Sequence, residues 1–285
     1  MAMNYRHAFH AGNFADVVKH AVLARILAHL KEKPGAFRVI DTHAGAGVYN
    51  LAGPEAARTG EWREGIGKLA AAKLAPAVRD LLAPYLDAIA AFNSGAALKL
   101  YPGSPALVQC WLRPQDRLIA CEREASAARA LAARMHGDNR VRTVAIDGYT
   151  ALNAYVPPKE RRGLVLIDPP FERPDEYDRL AEGLAGAHRK WPTGIYALWY
   201  PIKNAREAES LPRRLRMLRM PRMLRAELTL PATRHERLRG SGLVLINPPW
   251  RLETELEVLL AALADVLAGA AGRGGTRIGW LTGEK

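Results

Sequence analysis

Residues 163–171 read GLVLIDPPF, and this stretch decides the fold. The five apolar residues 163–167 predict a strand that is buried on both faces, as in a parallel sheet. The two prolines after Asp168 cannot extend a sheet ladder, and they stiffen the loop that follows. An acidic side chain and an aromatic ring are thereby held at the carboxyl end of a strand, which is where ligands bind in open α/β sheets.

The loop suits the amino group of a flat nucleobase. Asp168 and the carbonyl of Pro169 can accept its two N–H bonds, and the ring of Phe171 can stack on the base. The alternative for the motif alone is a plain turn. The residue types favour the first interpretation and make these three residues the candidate catalytic group.

Residues 242–250, GLVLINPPW, repeat the pattern, so the strands must be counted to choose between the two copies. The six strands predicted before the second copy lie at residues 37–41, 117–121, 141–146, 163–167, 194–200 and 222–230. Helical patterns separate most of these six, as right-handed crossovers require. Only the ten residues 231–240 separate the sixth strand from the seventh, which predicts an antiparallel hairpin. We therefore expect DPPF to face the ligand and NPPW to lie at the opposite edge of the sheet.

The chain has 285 residues, 49% of them hydrophobic, which allows one large α/β domain with an insertion. We assign residues 1–50 and 101–285 to a Rossmann-like domain and residues 51–100 to a small helical insertion between the first two strands. Within the insertion, Pro84 is expected to kink or split a helix over residues 75–92. A first helix is predicted at residues 14–33, with Asn13 as its N-cap, an apolar stripe facing the core and Asp16 favouring the helix dipole.

Composition narrows the class of protein. No apolar run approaches the length of a membrane span, the N-terminus is not a signal sequence, and the two cysteines form no metal-binding spacing. We expect a cytoplasmic protein, most simply a monomer, without a membrane segment or a metal.

A net charge of +12 indicates a polyanionic partner, although arginine-rich coding is an alternative explanation. Arginines cluster at residues 213–225, and Arg234, Arg237 and Arg239 lie in the predicted hairpin loop. The strand count places that loop at the same edge as DPPF. Guanidinium groups there could hold the phosphates of a nucleic acid over the site.

Four successive strands of the predicted parallel sheet end in an acidic residue, namely Asp41, Glu122, Asp147 and Asp168. Glu122 could accept ribose hydroxyls, and Asp147 could accept an adenine amino group. Each acidic residue could instead cap a helix, but the four together favour a nucleotide-like cofactor. After the first strand, Gly45 and Gly47 would let the backbone approach such a ligand closely.

With these residues in place, the chain resembles the Rossmann-like S-adenosylmethionine-dependent methyltransferases. Within them it most resembles the bacterial large-subunit (23S) ribosomal RNA adenine-N6 methyltransferase J family, over nearly the whole chain. The motifs that carry the resemblance are YRHAFHAGNFADVVKH (5–20), DTHAGAG (41–47), ARTGEW (57–62), YPGSP (101–105), LIDPPF (166–171), YALWYP (196–201) and SGLVLINPPW (241–250). Tyrosine is common in the family where this chain has Phe171, and Cys121 is a second departure; neither puts the activity in doubt.

The resemblance implies S-adenosylmethionine as methyl donor, Asp168 as catalytic acceptor, and Tyr5, followed by His7, against the RNA. The expected cofactor site consists of Lys19, His20, His43, Gly45, Gly47, Ser104, Glu122, Asp147, Gly148 and Asp168. Three alternatives stay open from the sequence: a DNA adenine-N6 methyltransferase, a protein-glutamine methyltransferase and a non-catalytic RNA-binding protein.

Overall fold

The computed structural model describes residues 6–95, 97–231 and 238–283. Eight strands of this part of the chain form one sheet, and two short strands pair beside it. The strands are β1 (Arg38–Asp41), β2 (Val48–Asn50), β3 (Leu100–Pro102), β4 (Arg117–Glu122), β5 (Val141–Ala145), β6 (Gly163–Ile167), β7 (Ile195–Ile202), β8 (Met223–Thr229), β9 (Gly240–Ile246) and β10 (Gly275–Thr282). The helices are α1 (Phe14–Glu32), α2 (Pro54–Thr59), α3 (Lys68–Ala71), α4 (Pro76–Ala91), α5 (Ser104–Trp111), α6 (Ala125–Met135), α7 (Gly148–Tyr155), α8 (Glu176–Lys190), α9 (Ala205–Ala208), α10 (Ser210–Met217) and α11 (Leu252–Ala268).

The large sheet has the order β10-β8-β9-β7-β6-β1-β4-β5. Five neighbouring strands run parallel, in the order β7-β6-β1-β4-β5, whereas β9 lies antiparallel between β7 and β8. This confirms the Rossmann-like α/β fold and the predicted hairpin. We call the edge where β1, β4, β5, β6 and β7 end the upper edge, and the edge where β9 ends the lower edge.

Two features of the strands were missed by the sequence. The pair β2–β3 joins the chain on either side of the insertion, and its strands are too short to give a pattern. The pairing of the C-terminal strand β10 with β8, which is antiparallel along its length, was not predicted either.

Helix α1 begins after the Asn13 cap, whose side chain accepts from the backbone N–H of Asp16, as predicted. The expected single apolar stripe is wrong. Nearly the whole helix is buried, because α4 and α11 pack against it as well as the sheet. Polar residues of α1 are therefore buried too, among them Asp16 and Lys19.

The insertion packs into the main core. Its buried Leu82 and Tyr85 belong to the same hydrophobic cluster as the side chains of α1 and α11. Pro84 does not split α4, which runs unbroken over residues 76–91, and the Pro84 carbonyl accepts a bond from Trp111 Nε1 at 3.1 Å. The division of the chain at residues 51–100 stays a prediction.

No helix in the described part of the chain is long and apolar enough to cross a membrane. Among the same residues, no group of three or more His, Cys, Asp or Glu side chains could hold a metal ion.

Candidate active site

A cavity of about 1190 Å³ opens at the upper edge of the sheet. This is somewhat larger than the usual range for the site of one small ligand, about 300–1000 Å³. Among the residues that line it are the predicted site residues His7, Lys19, His20, His43, Gly45, Ser104, Glu122, Asp147, Gly148, Asp168 and Pro169. The residues that follow β1, β4, β5 and β6 meet there because all four strands end at this edge, whereas His7, Lys19 and His20 come from the N-terminal segment and α1.

The DPPF loop divides its side chains between the cavity and the core. Asp168 and Pro169 line the cavity, and the Asp168 side chain is 16% exposed. Phe171 has a left-handed backbone (φ +51°), and its ring packs on Tyr177 and Trp199 at centroid distances of 5.3 and 5.7 Å. The aromatic ring thus braces the loop, and its stacking on a base stays a prediction.

Asn247, in the second copy of the motif, lies at the lower edge. Its side-chain amide donates to the carbonyls of Pro192 and Gly194 at 2.7 and 2.8 Å, just before β7 begins. Trp250 is 74% exposed. This confirms that NPPW faces away from the site.

Lys19 contacts the candidate catalytic carboxylate directly. Its ammonium is buried and forms an ion pair with Asp168 and a second one, at 2.9 Å, with Asp16. Burial alone would lower the pKa of Lys19, but the two carboxylates outweigh it and raise the pKa above its usual value. The lysine that the sequence assigns to the cofactor therefore also holds Asp168.

The turn after β1 is built around a buried carboxylate. Asp41 is fully buried and accepts from Ser104 Oγ at 2.6 Å, and burial raises the pKa of Asp41 to about 7. Gly45 and Gly47 have left-handed backbones, as only glycine adopts readily. A Cβ on Gly45 would lie 2.1 Å from the Tyr49 hydroxyl. Packing against Tyr49 is therefore enough to require glycine at position 45, without the expected approach of a ligand. Gly47 does not line the cavity.

Glu122 and Asp147 serve different local roles. Glu122 accepts from the backbone N–H groups of Gly45 and Glu124 at 2.8 and 2.7 Å, so it fixes the turn that borders the cavity. Asp147 caps α7 by accepting from the N–H groups of Tyr149 and Thr150. The capping alternative thus holds for Asp147, which nevertheless faces the cavity.

Two histidines line the cavity as neutral rings. Burial lowers the pKa of His20 to about 3 and that of His43 to about 4. The Nδ1 atom of His20 lies 2.7 Å from the Tyr101 hydroxyl. A Cβ on Gly148 would lie 2.5 Å from the His43 ring, so Gly148 is needed for His43 to occupy its place. Neutral rings of this kind can bind a ligand by hydrogen bonding without adding charge.

The expected RNA contacts are only partly described. Tyr5, Arg234 and Arg237 lie outside the described residues. Arg239 is exposed, and its backbone N–H donates to Ile202 at the end of β7, which places it at the upper edge.

The expectation for the arginines at 213–225 needs correction at its C-terminal end. Arg225 is buried in an ion pair with Glu209, so it cannot meet a phosphate. Arg222 lies at the lower edge, where its carbonyl accepts from the backbone of Asn247. The cluster in the sequence is spread between the two edges because α10 connects them.

Several residues at the cavity were not predicted as site residues. Tyr49 and Tyr149 line it, and the guanidinium of Arg179 lies 4.4 Å from the centroid of the Tyr149 ring.

Asp16 was expected only to favour the helix dipole, yet it pairs with Lys19. The spacing of three residues between Asp16 and Lys19 on one helix was the available signal for that pair.

Comparison with known proteins gives concordant results. The family model described as "Ribosomal RNA large subunit methyltransferase D, RlmJ" matches residues 34–282. The ribosomal RNA large subunit methyltransferase J of Escherichia coli (strain K12) is 39% identical over 283 residues, covering 99% of this chain and 100% of that protein. The protein of the same name from Haemophilus influenzae is 38% identical over 284 residues, with 99% and 100% covered.

One solved structure, protein LPL1258 from Legionella pneumophila, is also similar over its full length. It superposes with a TM-score of 0.88 at 35% identity, covering 97% of this chain and 99% of that one.

Proposed function

Since the chain belongs to the RlmJ family of ribosomal RNA large subunit methyltransferases, we propose that it methylates the exocyclic N6 of an adenine in 23S ribosomal RNA. S-adenosylmethionine is the methyl donor. The observation that carries the proposal is the Asp168 carboxylate, which a buried lysine holds at the cavity where β6 ends.

The cavity fits the proposed cofactor. Glu122 keeps acceptor capacity for ribose hydroxyls beyond its two backbone partners, and Asp147 lies beyond it, at the end of the next strand, for an adenine amino group. Ser104 and Asp41 border the same turn closer to β6. When bound, the cofactor supplies an electrophilic methyl group.

The chemical task of the protein is to activate a poor nucleophile, because the N6 lone pair of adenine is delocalised into the ring. Hydrogen bonds from N6 to Asp168 and to the Pro169 carbonyl draw the nitrogen towards tetrahedral geometry and localise the lone pair. Much of the acceleration would then come from the residues that position the nitrogen against the methyl donor. The cofactor would give up its methyl group by breaking the S–C bond and would leave as the neutral thioether, and Asp168 would take the proton that N6 loses or pass it to water.

Lys19 serves this step without touching the base. Its ammonium holds one oxygen of Asp168, which orients the carboxylate and leaves the other oxygen for N6. His20 and His43, whose pKa values burial lowers, add no positive charge to the site.

The RNA must present an unstacked adenine, which is easiest in a loop or a single strand. The excess of basic residues supports binding to the phosphate backbone, with Arg239 at the upper edge and His7 in the lining of the cavity as candidate contacts. We place the protein in the cytoplasm, where ribosomal RNA is found. We also propose that it acts as a monomer.

A transfer assay tests the proposal against its alternatives. The protein is incubated with labelled S-adenosylmethionine and either unmodified 23S ribosomal RNA or duplex DNA. Label in N6-methyladenosine of the RNA is expected. Label only in DNA would make it a DNA methyltransferase, and no cofactor binding in a titration would reduce it to an RNA-binding protein.

A further inference from the structure

Asp16 has a buried carboxylate with three hydrogen-bonding or ion-pair partners. Its side chain is 3% exposed. It accepts from the backbone N–H of Gly12 at 2.9 Å, from His7 Nε2 at 3.0 Å and from Lys19 Nζ at 2.9 Å. Burying such a group is costly unless charged and hydrogen-bonding partners surround it, as they do here.

The charges of this network favour an ionised carboxylate. Burial would raise the pKa of Asp16, but His7 and Lys19 together hold it well below its usual value. Asp16 therefore presents a second negative charge to Lys19, in addition to that of Asp168. A lysine has a flexible stem and a compact charge, so one acceptor alone would leave its position loosely defined. A second acceptor restricts where the ammonium can lie.

Asp16 is itself held by the turn that precedes α1. Asn13 Oδ1 accepts from the Asp16 backbone at 3.0 Å, and Gly12 has a left-handed backbone (φ +77°). The insertion seats this turn: the N–H of Ile66 donates to the Gly12 carbonyl at 2.9 Å. A Cβ on Gly65 would lie 2.2 Å from that carbonyl oxygen, so only glycine permits the approach.

We propose that Asp16 is a positioning residue for methyl transfer, which holds the Lys19 ammonium against Asp168 and ties that pair to His7 of the N-terminal segment. The inference rests on the proposed function for its effect on rate, but the positioning of Lys19 can be measured without RNA. The N-terminal segment contacts Asp16 directly through His7, whereas the insertion is linked to Asp16 through Gly12 and the catalytic loop through Lys19.

The test compares Asp16→Asn with a matched variant, Asp116→Asn. Asp116 is also fully buried and also accepts from a backbone N–H, that of Phe37, and from a cation, Arg113. It lies at the lower edge, before β4. The two substitutions remove the same charge from similarly buried sites, and only one of them adjoins Lys19.

The first measurement is the single-turnover rate at saturating RNA and cofactor, together with the affinity for each. Asp16→Asn should lower the rate by about tenfold to a hundredfold, the scale expected when a reacting group is misplaced by about 1 Å. Cofactor affinity should stay within about threefold, and Asp116→Asn should leave the rate per folded molecule near that of the wild type. Equal losses in both variants, or a rate for Asp16→Asn within twofold of the wild type, would overturn the proposal.

The second measurement is the rate at which Lys19 is labelled by reductive methylation with formaldehyde, followed by peptide mass spectrometry. Lys19 should label several times faster in Asp16→Asn than in the wild type or Asp116→Asn, because one of its two acceptors has lost its charge. Unchanged labelling of Lys19 in Asp16→Asn would refute the positioning role. An inactive wild type, with faster labelling in Asp16→Asn, would count against the proposed function alone.

Discussion

The two proline-proline loops of this protein share a pattern of sequence and differ in almost everything else. Both follow a buried strand that ends in the same five residues, GLVLI. In the first, Asp168 faces a large cavity and is paired with Lys19. In the second, Asn247 donates both its amide hydrogens to carbonyls of the chain, and Trp250 is mostly exposed.

Strand direction accounts for this difference. The first loop ends a strand that runs parallel to its neighbours β1 and β7, so it meets the other strand ends at the upper edge. The second ends a strand that runs antiparallel to both of its neighbours, so it meets the start of β7. A local motif therefore predicts chemistry only once the direction of its strand is known.

The largest effect is expected on the rate of methyl transfer. Asp168→Ala should lower the single-turnover rate by about a hundredfold or more, because N6 loses both an acceptor and the residue that takes its proton. Asn247→Ala should keep the wild-type rate per folded molecule. The reverse result in two folded proteins would show that the strand assignment is wrong.

A smaller effect is expected on cofactor affinity. Glu122→Ala should weaken binding of S-adenosylmethionine by about 1–3 kcal/mol in calorimetry, since ribose hydroxyls lose a charged acceptor. Glu160→Ala is the control, because Glu160 pairs with Arg38 at the lower edge. Unchanged affinity in Glu122→Ala would place the ribose elsewhere.

Substitution of Asn247 in the second loop is expected to lower stability rather than activity. Asn247→Ala removes two hydrogen bonds and places alanine at a left-handed backbone (φ +51°). Its free energy of unfolding in urea should fall by about 1–3 kcal/mol. A loss below the error of the measurement would mean that Asn247 has no structural role.

The smallest effect is expected in the salt dependence of RNA binding. Arg239→Glu, at the upper edge, should flatten the slope of log affinity against log salt by about one unit, because a phosphate contact is lost. Arg219 is also exposed and precedes β8 at the lower edge, so Arg219→Glu should leave the slope unchanged. Equal slopes for both variants would move the RNA away from the hairpin loop.

Local patterns predicted the elements whose own residues determine them. The start of α1 at Phe14 and its Asn13 cap follow from apolar spacing and a side-chain acceptor. The burial of α1 on all sides could not be predicted in this way, because it depends on how α4 and α11 pack.

The site shows the same limit. Its strand-end carboxylates could be found by counting strands, whereas the contact between Lys19 and Asp168 joins residues 149 positions apart. Arg225 has the charge expected of an RNA contact. Only the structure shows that it is buried in an ion pair with Glu209.

The most direct test of the account is to map the product base. Ribosomal RNA from cells that lack this protein is treated with the wild type, Asp168→Ala or Asn247→Ala, then digested and analysed by mass spectrometry. The account predicts a methyl group on N6 of an adenine in 23S RNA with the wild type and Asn247→Ala, and none with Asp168→Ala. A methyl group on another base, or one that persists with Asp168→Ala and disappears with Asn247→Ala, would contradict it.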